Sequence, residues 1–509
     1  MLTLPGLTRP DVTRSGPPRA VVIGSGFGGL AAAVRLGARG YRVTVLEKLD
    51  MPGGRAYVHR QDGYTFDAGP TVITAPFLFE ELWQLCGQRM SDHVSLREVA
   101  PFYRLRFDDG ETFDYSGDAA AMDAEIARLS PADVEGFRRY MQASEAIYKV
   151  GFEQLGHVPF DSFTDMLKIV PEMMRLQSWR TVYGMVSGFI KDERLRNALS
   201  FHPLLVGGNP FTTTSIYCLI AHLERRFGVH YAMGGTGTLV QGLVRLIEGQ
   251  GGSIHCNREV ERILVRDGTA HGVRMADGEE IEAEVVVSNA DAAWTYAKLL
   301  APAERKRWSD RKIARSRYSM SLFVWYFGTR RQYADVPHHS ILLGPRYREL
   351  LADIFKHKVL APDFSLYLHR PTATDPSMAP PGCDAFYVLS PVPHLGSGVD
   401  WTQAAEPYRQ ALCRKLSETV LPGLENEIVT SRMLTPQDFH DRLNSWQGAA
   451  FAMEPVLQQS AWFRPHNRSE DVRNLFLVGA GTHPGAGLPG VLSSARVLDS
   501  VVPDALAFA

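Results

Sequence analysis

The 509-residue chain carries 54 Lys and Arg against 56 Asp and Glu, a net charge of −2 at pH 7. That balance leaves no polyanion footprint and argues against nucleic acid as a partner. A hydrophobic content of 45% with 22% charged residues fits a soluble globular protein with room for two or three domains.

Residues 1–18 contain Pro and Arg without an apolar core, so they read as a disordered lead-in and not as a secretory signal. No run of 18 apolar residues occurs, so no span of a bilayer is expected. The five cysteines are odd in number and far apart, with no Cys-x-x-Cys pair. Neither a disulfide framework nor a metal site is indicated, and a reducing cytoplasm is the natural compartment.

The first element is the most informative. Val21-Val22-Ile23 runs into Gly24-Ser25-Gly26-Phe27-Gly28-Gly29 and then Leu30-Ala31-Ala32-Ala33, a strand, a G-x-G-x-x-G turn and a small-residue helix. Gly24 makes the tight turn, Gly26 lets backbone approach a diphosphate, and Gly29 allows close helix–strand packing. A second strand, Arg42 to Leu46, ends in Glu47, placed 23 residues after Gly24 to meet a ribose hydroxyl. Together these predict a doubly wound α/β domain that binds a dinucleotide.

Lys48 follows, then Met51-Pro52-Gly53-Gly54-Arg55 and Phe66-Asp67-Ala68-Gly69-Pro70. Phe102 to Tyr115 alternates around Asp108-Asp109-Gly110 and predicts a β-hairpin. Residues 119–230 show helical spacing, with a cap expected at Ser130. Strands follow at Ser253–Cys256, Val260–Val265 and Val285–Ala290, the last carrying Asn289. Three aromatic strands, starting at Met320, Phe364 and Ala385, have few polar residues on either face. A sheet buried on both sides explains this, and so does one face lining an apolar cavity.

The last unit mirrors the first. The apolar strand Leu475–Val478 enters Gly479-Ala480-Gly481-Thr482-His483-Pro484-Gly485-Ala486-Gly487-Leu488-Pro489-Gly490-Val491, and a helix follows. Such a loop lets backbone amides reach a ligand, and the helix start favours negative charge there.

The segments Gly24–Gly29, Gly53–Arg55, Asp67–Pro70, Ser288–Asp291 and Gly479–Val491 resemble FAD-dependent oxidoreductases of the amine oxidase and carotenoid desaturase type. With Phe201-His202-Pro203-Leu204 and Ser460 to Pro465, the chain is similar over nearly its whole length to bacterial-type phytoene desaturases. The resemblance implies FAD as cofactor, held by both chain ends, with Gly54, Arg55, Asp67, Gly69, Pro70, Val260 and Asn289 joining the two glycine clusters. Ala480 replaces the acid usual at the ribityl chain, so backbone or Thr482 is expected to do that work.

The resemblance also implies a C40 polyene such as phytoene as substrate, desaturated stepwise to neurosporene or lycopene, with a quinone or oxygen as final acceptor. Hydride and proton removal from an allylic CH2–CH2 unit calls for position, dryness and a hydride acceptor. Few acid–base groups are therefore expected, and Asp67, Arg55, His483 and Glu454 are the candidates. Another carotenoid oxidoreductase, or a prenyl-lipid carrier of the same fold, remains an alternative.

The implied organisation is a cofactor domain from 19–115, 231–298 and 461–509, a helical part at 116–230 and a β-rich substrate domain at 299–460. A membrane-dwelling hydrocarbon calls for peripheral membrane association, and Asp161 to Leu176, with Lys168, Arg175 and nearby Arg180, is the candidate contact.

Overall fold

A computed structural model of the protein describes residues 16–508, so the lead-in expected at 1–18 lies almost wholly outside the described residues. Strand Arg19–Ile23 sits at the centre of a five-stranded parallel sheet. Arg42–Leu46 and Ser253–His255 extend it on one side, Val285–Ser288 and Leu475–Leu477 on the other. One sheet thus draws on the start, middle and end of the chain.

The strand period of two sorts its side chains. Ala20 and Val22 face helices Phe27–Ala38, Thr236–Gly249 and Leu488–Val501. Val21 and Ile23 face a three-stranded antiparallel sheet built from Val260–Arg266, Thr269–Met275 and Glu280–Glu282. Both faces are covered, which is why the central strands read as continuous apolar runs.

The second sheet has seven strands: Ile428–Leu434, Ser321–Thr329, Asp384–Val392, Leu366–His369, His339–Leu342, Tyr103–Arg106 and Thr112–Tyr115, in that spatial order. The predicted hairpin forms, but it belongs to this sheet through parallel pairing with His339–Leu342. Placing it with the cofactor segment is corrected accordingly, because hairpin periodicity says nothing about which sheet the hairpin joins.

Every residue of Ser321–Thr329 is buried. Phe323, Trp325 and Phe327 pack beneath helix Trp401–Thr419. Leu322, Val324 and Tyr326 point to the opposite face, toward the helical segment. Both explanations for the aromatic strands therefore hold at once: one face is core, and the other walls a cavity.

The helical segment contains Ala119–Leu129, Val134–Tyr148, Phe163–Arg175, Val182–Ser187, Glu193–Ser200 and Leu219–Phe227. Asp118, Ser162, Thr181 and Asp192 cap four of these with side-chain acceptors. Ser130 makes no such cap; Asp133 instead accepts the amides of Lys191 and Asp192, tying two helices together.

Candidate active site

Gly24 takes φ +87°, a conformation that favours glycine, and its N–H donates to the Leu46 carbonyl at 2.8 Å. The turn delivers Gly26 to the start of helix Phe27–Ala38, where no side chain caps the free amides. A phosphate finds open N–H groups and the positive end of the helix there. Glu47 is fixed by the Ser25 amide at 2.9 Å, the Ser25 hydroxyl at 2.5 Å and the Leu49 amide at 2.9 Å.

The two chain ends meet. A Cβ on Gly28 would lie 3.1 Å from the Gly479 backbone, and Asn289 fills the space between the two glycine clusters. Cβ atoms on Gly26, Gly28 and Gly479 would approach the Asn289 amide group to 3.0, 2.5 and 2.7 Å. Gly53 donates to the Ser25 carbonyl, and the loop swings Arg55 inward to donate to the Ala450 carbonyl and the Ser445 hydroxyl, each at 2.8 Å. Lys48 donates at the rim to the Asp441 carbonyl and to Asn444. At the far end Gly487 precedes helix Leu488–Val501, and Leu488, Pro489, Gly490 and Val491 of its first turn meet the cavity; Pro489 carries no N–H and that of Val491 donates to the Gly487 carbonyl, which leaves the Leu488 and Gly490 amides.

One cavity of about 540 Å³ runs through these elements, a size usual for ligand sites. Gly24, Gly26, Phe27, Gly28, Glu47, Lys48, Gly54, Arg55, Gly69, Pro70, Val260, Asn289, Gly479 and Ala480 all line it. A glycine-floored cradle at a helix start, with a carboxylate at the end of the second strand, fits the diphosphate and ribose of FAD.

Several expected residues face elsewhere. Ser25 is the brace for Glu47, and Gly29 packs on Gly24. Gly481 lies against Ala292, and the Thr482 hydroxyl donates to the Pro465 carbonyl at 2.6 Å, so Thr482 does not replace the missing acid beside Ala480. Asp67 also turns away. It accepts the Thr236 amide and hydroxyl at 2.9 and 3.0 Å and holds the start of helix Thr236–Gly249. Burial pushes its carboxyl up to about 6. Glu454 accepts from Arg317 at 2.8 Å and Thr212 at 3.0 Å and does not line the cavity.

His483 does reach the cavity, but its Nε2 faces the Leu155 carbonyl at 3.1 Å and burial lowers it to about 4, so it is neutral at pH 7.

Beyond the cradle the walls turn apolar. Leu322, Val324, Ile341, Leu366 and Leu389 come from the seven-stranded sheet, Leu343 follows its strand His339–Leu342, and Ile147, Phe160, Met166, Ile169, Met173 and Leu176 come from the helical segment. Polar groups on this limb are few. Thr71 bonds the Tyr387 hydroxyl at 2.7 Å, and Tyr387 donates to the Gly69 carbonyl at 3.1 Å. Glu224, buried at the wall, accepts from the Tyr103 hydroxyl at 2.7 Å and lies 3.0 Å from His202 Nε2. Nothing in the linear pattern singles out Glu224, one carboxylate on an ordinary amphipathic helix.

A second group escaped linear spacing. Antiparallel register places His339 opposite His369, and with His338 one ring nitrogen of each comes within 4.8 Å of the others. The absence of metal-ligand spacing therefore did not mean the absence of a cluster. Among the described residues no carboxylate joins the three rings, and Thr374, Tyr367 and a ring–ring contact occupy four of the six ring nitrogens.

The family of flavin-containing amine oxidoreductases matches residues 27–497. A lycopene-forming phytoene desaturase of Pseudescherichia vulneris is 53% identical over 487 residues, covering 95% of this chain and 99% of the relative. A neurosporene-forming phytoene desaturase of Rhodobacter capsulatus is 51% identical, covering 96% of this chain and 95% of its own. Among solved structures, a putrescine oxidase variant superposes with a TM-score of 0.65 at 13% identity, over 97% of this chain and 99% of that one.

Proposed function

The chain belongs to the flavin-containing amine oxidoreductases, and within that family we propose that it is an FAD-dependent phytoene desaturase producing neurosporene or lycopene. The observation that carries this reading is the continuity of the glycine-lined cradle with an apolar limb, in a chain 53% identical to a desaturase over 95% of its length.

FAD, when bound, supplies the hydride acceptor. Gly24–Gly28 and the amides opening helix Leu488–Val501 would hold it, with Glu47 at the ribose and Arg55 bracing the loop. The remaining work belongs to the apolar walls. They align an allylic CH2–CH2 unit, exclude water and offer little that competes for the cation character that develops. The scarcity of ionised groups suits a substrate with no heteroatom to polarise.

Helix Phe163–Arg175 supports contact with a membrane. Its inner face, Met166, Ile169 and Met173, walls the cavity. Its outer face leaves Phe163, Leu167, Val170 and Met174 exposed, and Trp179 and Phe463 are exposed as well. Lys168 and Arg175 pair with Asp165 and Glu172 on the same helix. Arg180, read from sequence as a headgroup contact, folds back onto the Gly184 carbonyl. Among the described residues no helix is long and apolar enough to cross a membrane. A helix with cavity on one side and exposed apolar residues on the other suits a hydrocarbon that enters from lipid.

Incubation of the purified chain with FAD and phytoene in liposomes, followed by chromatography, tests the proposal. Coloured polyenes are expected. Unchanged phytoene under both aerobic and quinone-supplemented conditions would overturn it, and comparing those two conditions identifies the final acceptor.

A further inference from the structure

Four arginine side chains are buried among the described residues: Arg35, Arg305, Arg370 and Arg464. Arg35 pairs with Glu81 and Asp499, Arg305 with Asp310, and Arg370 with Asp384. Arg464 pairs with no carboxylate. Its Nη2 donates to the Met453 carbonyl at 3.0 Å and the Ala480 carbonyl at 3.1 Å, while for Nε and Nη1 only the uncharged Tyr217 hydroxyl stands against the guanidinium, outside ideal hydrogen-bond geometry. The nearest acids in sequence, Glu470 and Asp471, are committed to Arg307 and to the amides of Lys306, Arg307 and Trp308, and Glu454 on the other side is committed to Arg317. A guanidinium stays protonated even when buried, so this is a fixed positive charge. Holding it in a dry interior without an anion is costly.

Its position says where the anion belongs. Arg464 touches the closing glycine loop at Ala480, and a Cβ on Gly485 would meet its Nη1 at 3.4 Å and the Tyr217 hydroxyl at 3.3 Å. Tyr217, Ala480 and Gly487 line the cavity at the cradle, and Arg464 stands behind them without lining it, held on the Ala480 carbonyl. We propose that Arg464 is a positioning residue for the charge of the reduced cofactor, the buried cation balancing the negative charge that the flavin ring gains on reduction. The inference rests on the desaturase reading for the source of that charge. When bound, FAD would supply the two-electron acceptor: the electron pair of one allylic C–H bond would pass to it with that hydrogen, the pair of the neighbouring C–H bond would become the C=C bond, and the proton left over would go to bulk solvent. In a low dielectric a fixed cation beside the loop favours the reduced form before any substrate arrives.

The holoenzyme without substrate provides the test, so its outcome is independent of whether phytoene is converted. Arg464→Met should shift the oxidised–reduced equilibrium at least tenfold toward the oxidised form, about 30 mV in a two-electron midpoint potential. Sulfite, which adds to flavin as an anion, should bind at least tenfold more weakly. Arg464→Lys should restore both, since it keeps the charge and loses the fork of donors. Wild-type potential and sulfite affinity in Arg464→Met, or equal damage in both variants, would overturn the proposal. If Arg464→Met does not fold, Arg464→Gln, which keeps side-chain donors and loses the charge, decides on the same two readouts: a shift of at least tenfold is expected, and wild-type potential and sulfite affinity refute the assignment.

Discussion

Gly29 and Gly24 approach so closely that a Cβ on Gly29 would lie 2.1 Å from the Gly24 carbonyl oxygen. The first helix can start where it does only because nothing stands between these residues. Gly29→Ala therefore pushes backbone against backbone, costing about 1–3 kcal/mol and displacing the turn that holds the diphosphate. Gly26→Ala meets only the Asn289 side-chain amide at 3.0 Å, which can give way. Flavin absorbance per protein should fall sharply in Gly29→Ala and in Gly26→Val, and only partly in Gly26→Ala. Full retention by Gly29→Ala would show that the turn yields more easily than this packing allows.

The glycine clusters were legible in sequence because their chemistry is covalently local. Turn, amides and helix start lie within a few residues, and both ends of the chain carry the same pattern. The aromatic strands were legible as an ambiguity, and the fold resolves it by using opposite faces of Ser321–Thr329 differently. Side-chain direction was not legible. Asp67 and Gly69 are neighbours in sequence, yet Gly69 lines the cavity while Asp67 anchors a helix 169 positions later. The cluster of His338, His339 and His369 depends on strand register, and the solitude of Arg464 depends on where every carboxylate ends up.

Asp67 makes a pH prediction. Its folded value of about 6 lies above the ordinary 3.8, so the folded state binds more protons than the unfolded chain between those values. Stability contributed by this site is thus greatest below about pH 4, falls as pH rises to about 6 and is flat beyond, by about 3 kcal/mol at most. Asp67→Asn should flatten that part of the thermal-stability profile while leaving the rest of the curve in place. An unchanged slope between pH 4 and 6 in the variant would refute the assignment.

Glu454 should prove structural. Glu454→Gln keeps the size but weakens the pair with the half-exposed Arg317, so a loss of about 1 kcal/mol is expected. Phytoene conversion by the surviving folded protein should stay within about twofold of wild type. A tenfold fall in turnover with the flavin content intact would return Glu454 to the reacting centre.

The apolar limb can be closed from the sheet side. Leu322 and Val324 present their side chains to the cavity from a strand whose other face is packed under a helix, so the backbone there has little freedom to retreat. Leu322→Trp should retain FAD and lose more than tenfold in phytoene conversion, with early desaturation products enriched in what remains. Loss of flavin in proportion to activity would show that the residue supports the cradle and not the hydrocarbon limb.

The outer face of helix Phe163–Arg175 can be altered without touching its inner face. Leu167 and Met174 are 54% and 57% exposed, and neither lines the cavity. Charging an apolar surface meant for lipid makes insertion costly while leaving an exposed helix folded. The double substitution Leu167→Asp and Met174→Asp should leave flavin content and thermal stability near wild type and reduce co-sedimentation with liposomes at least tenfold. Conversion of phytoene held in liposomes should fall in step, whereas phytoene dispersed in detergent should still be converted. Equal loss from both sources would place the defect in the cavity wall and remove the case for this helix as the side facing lipid.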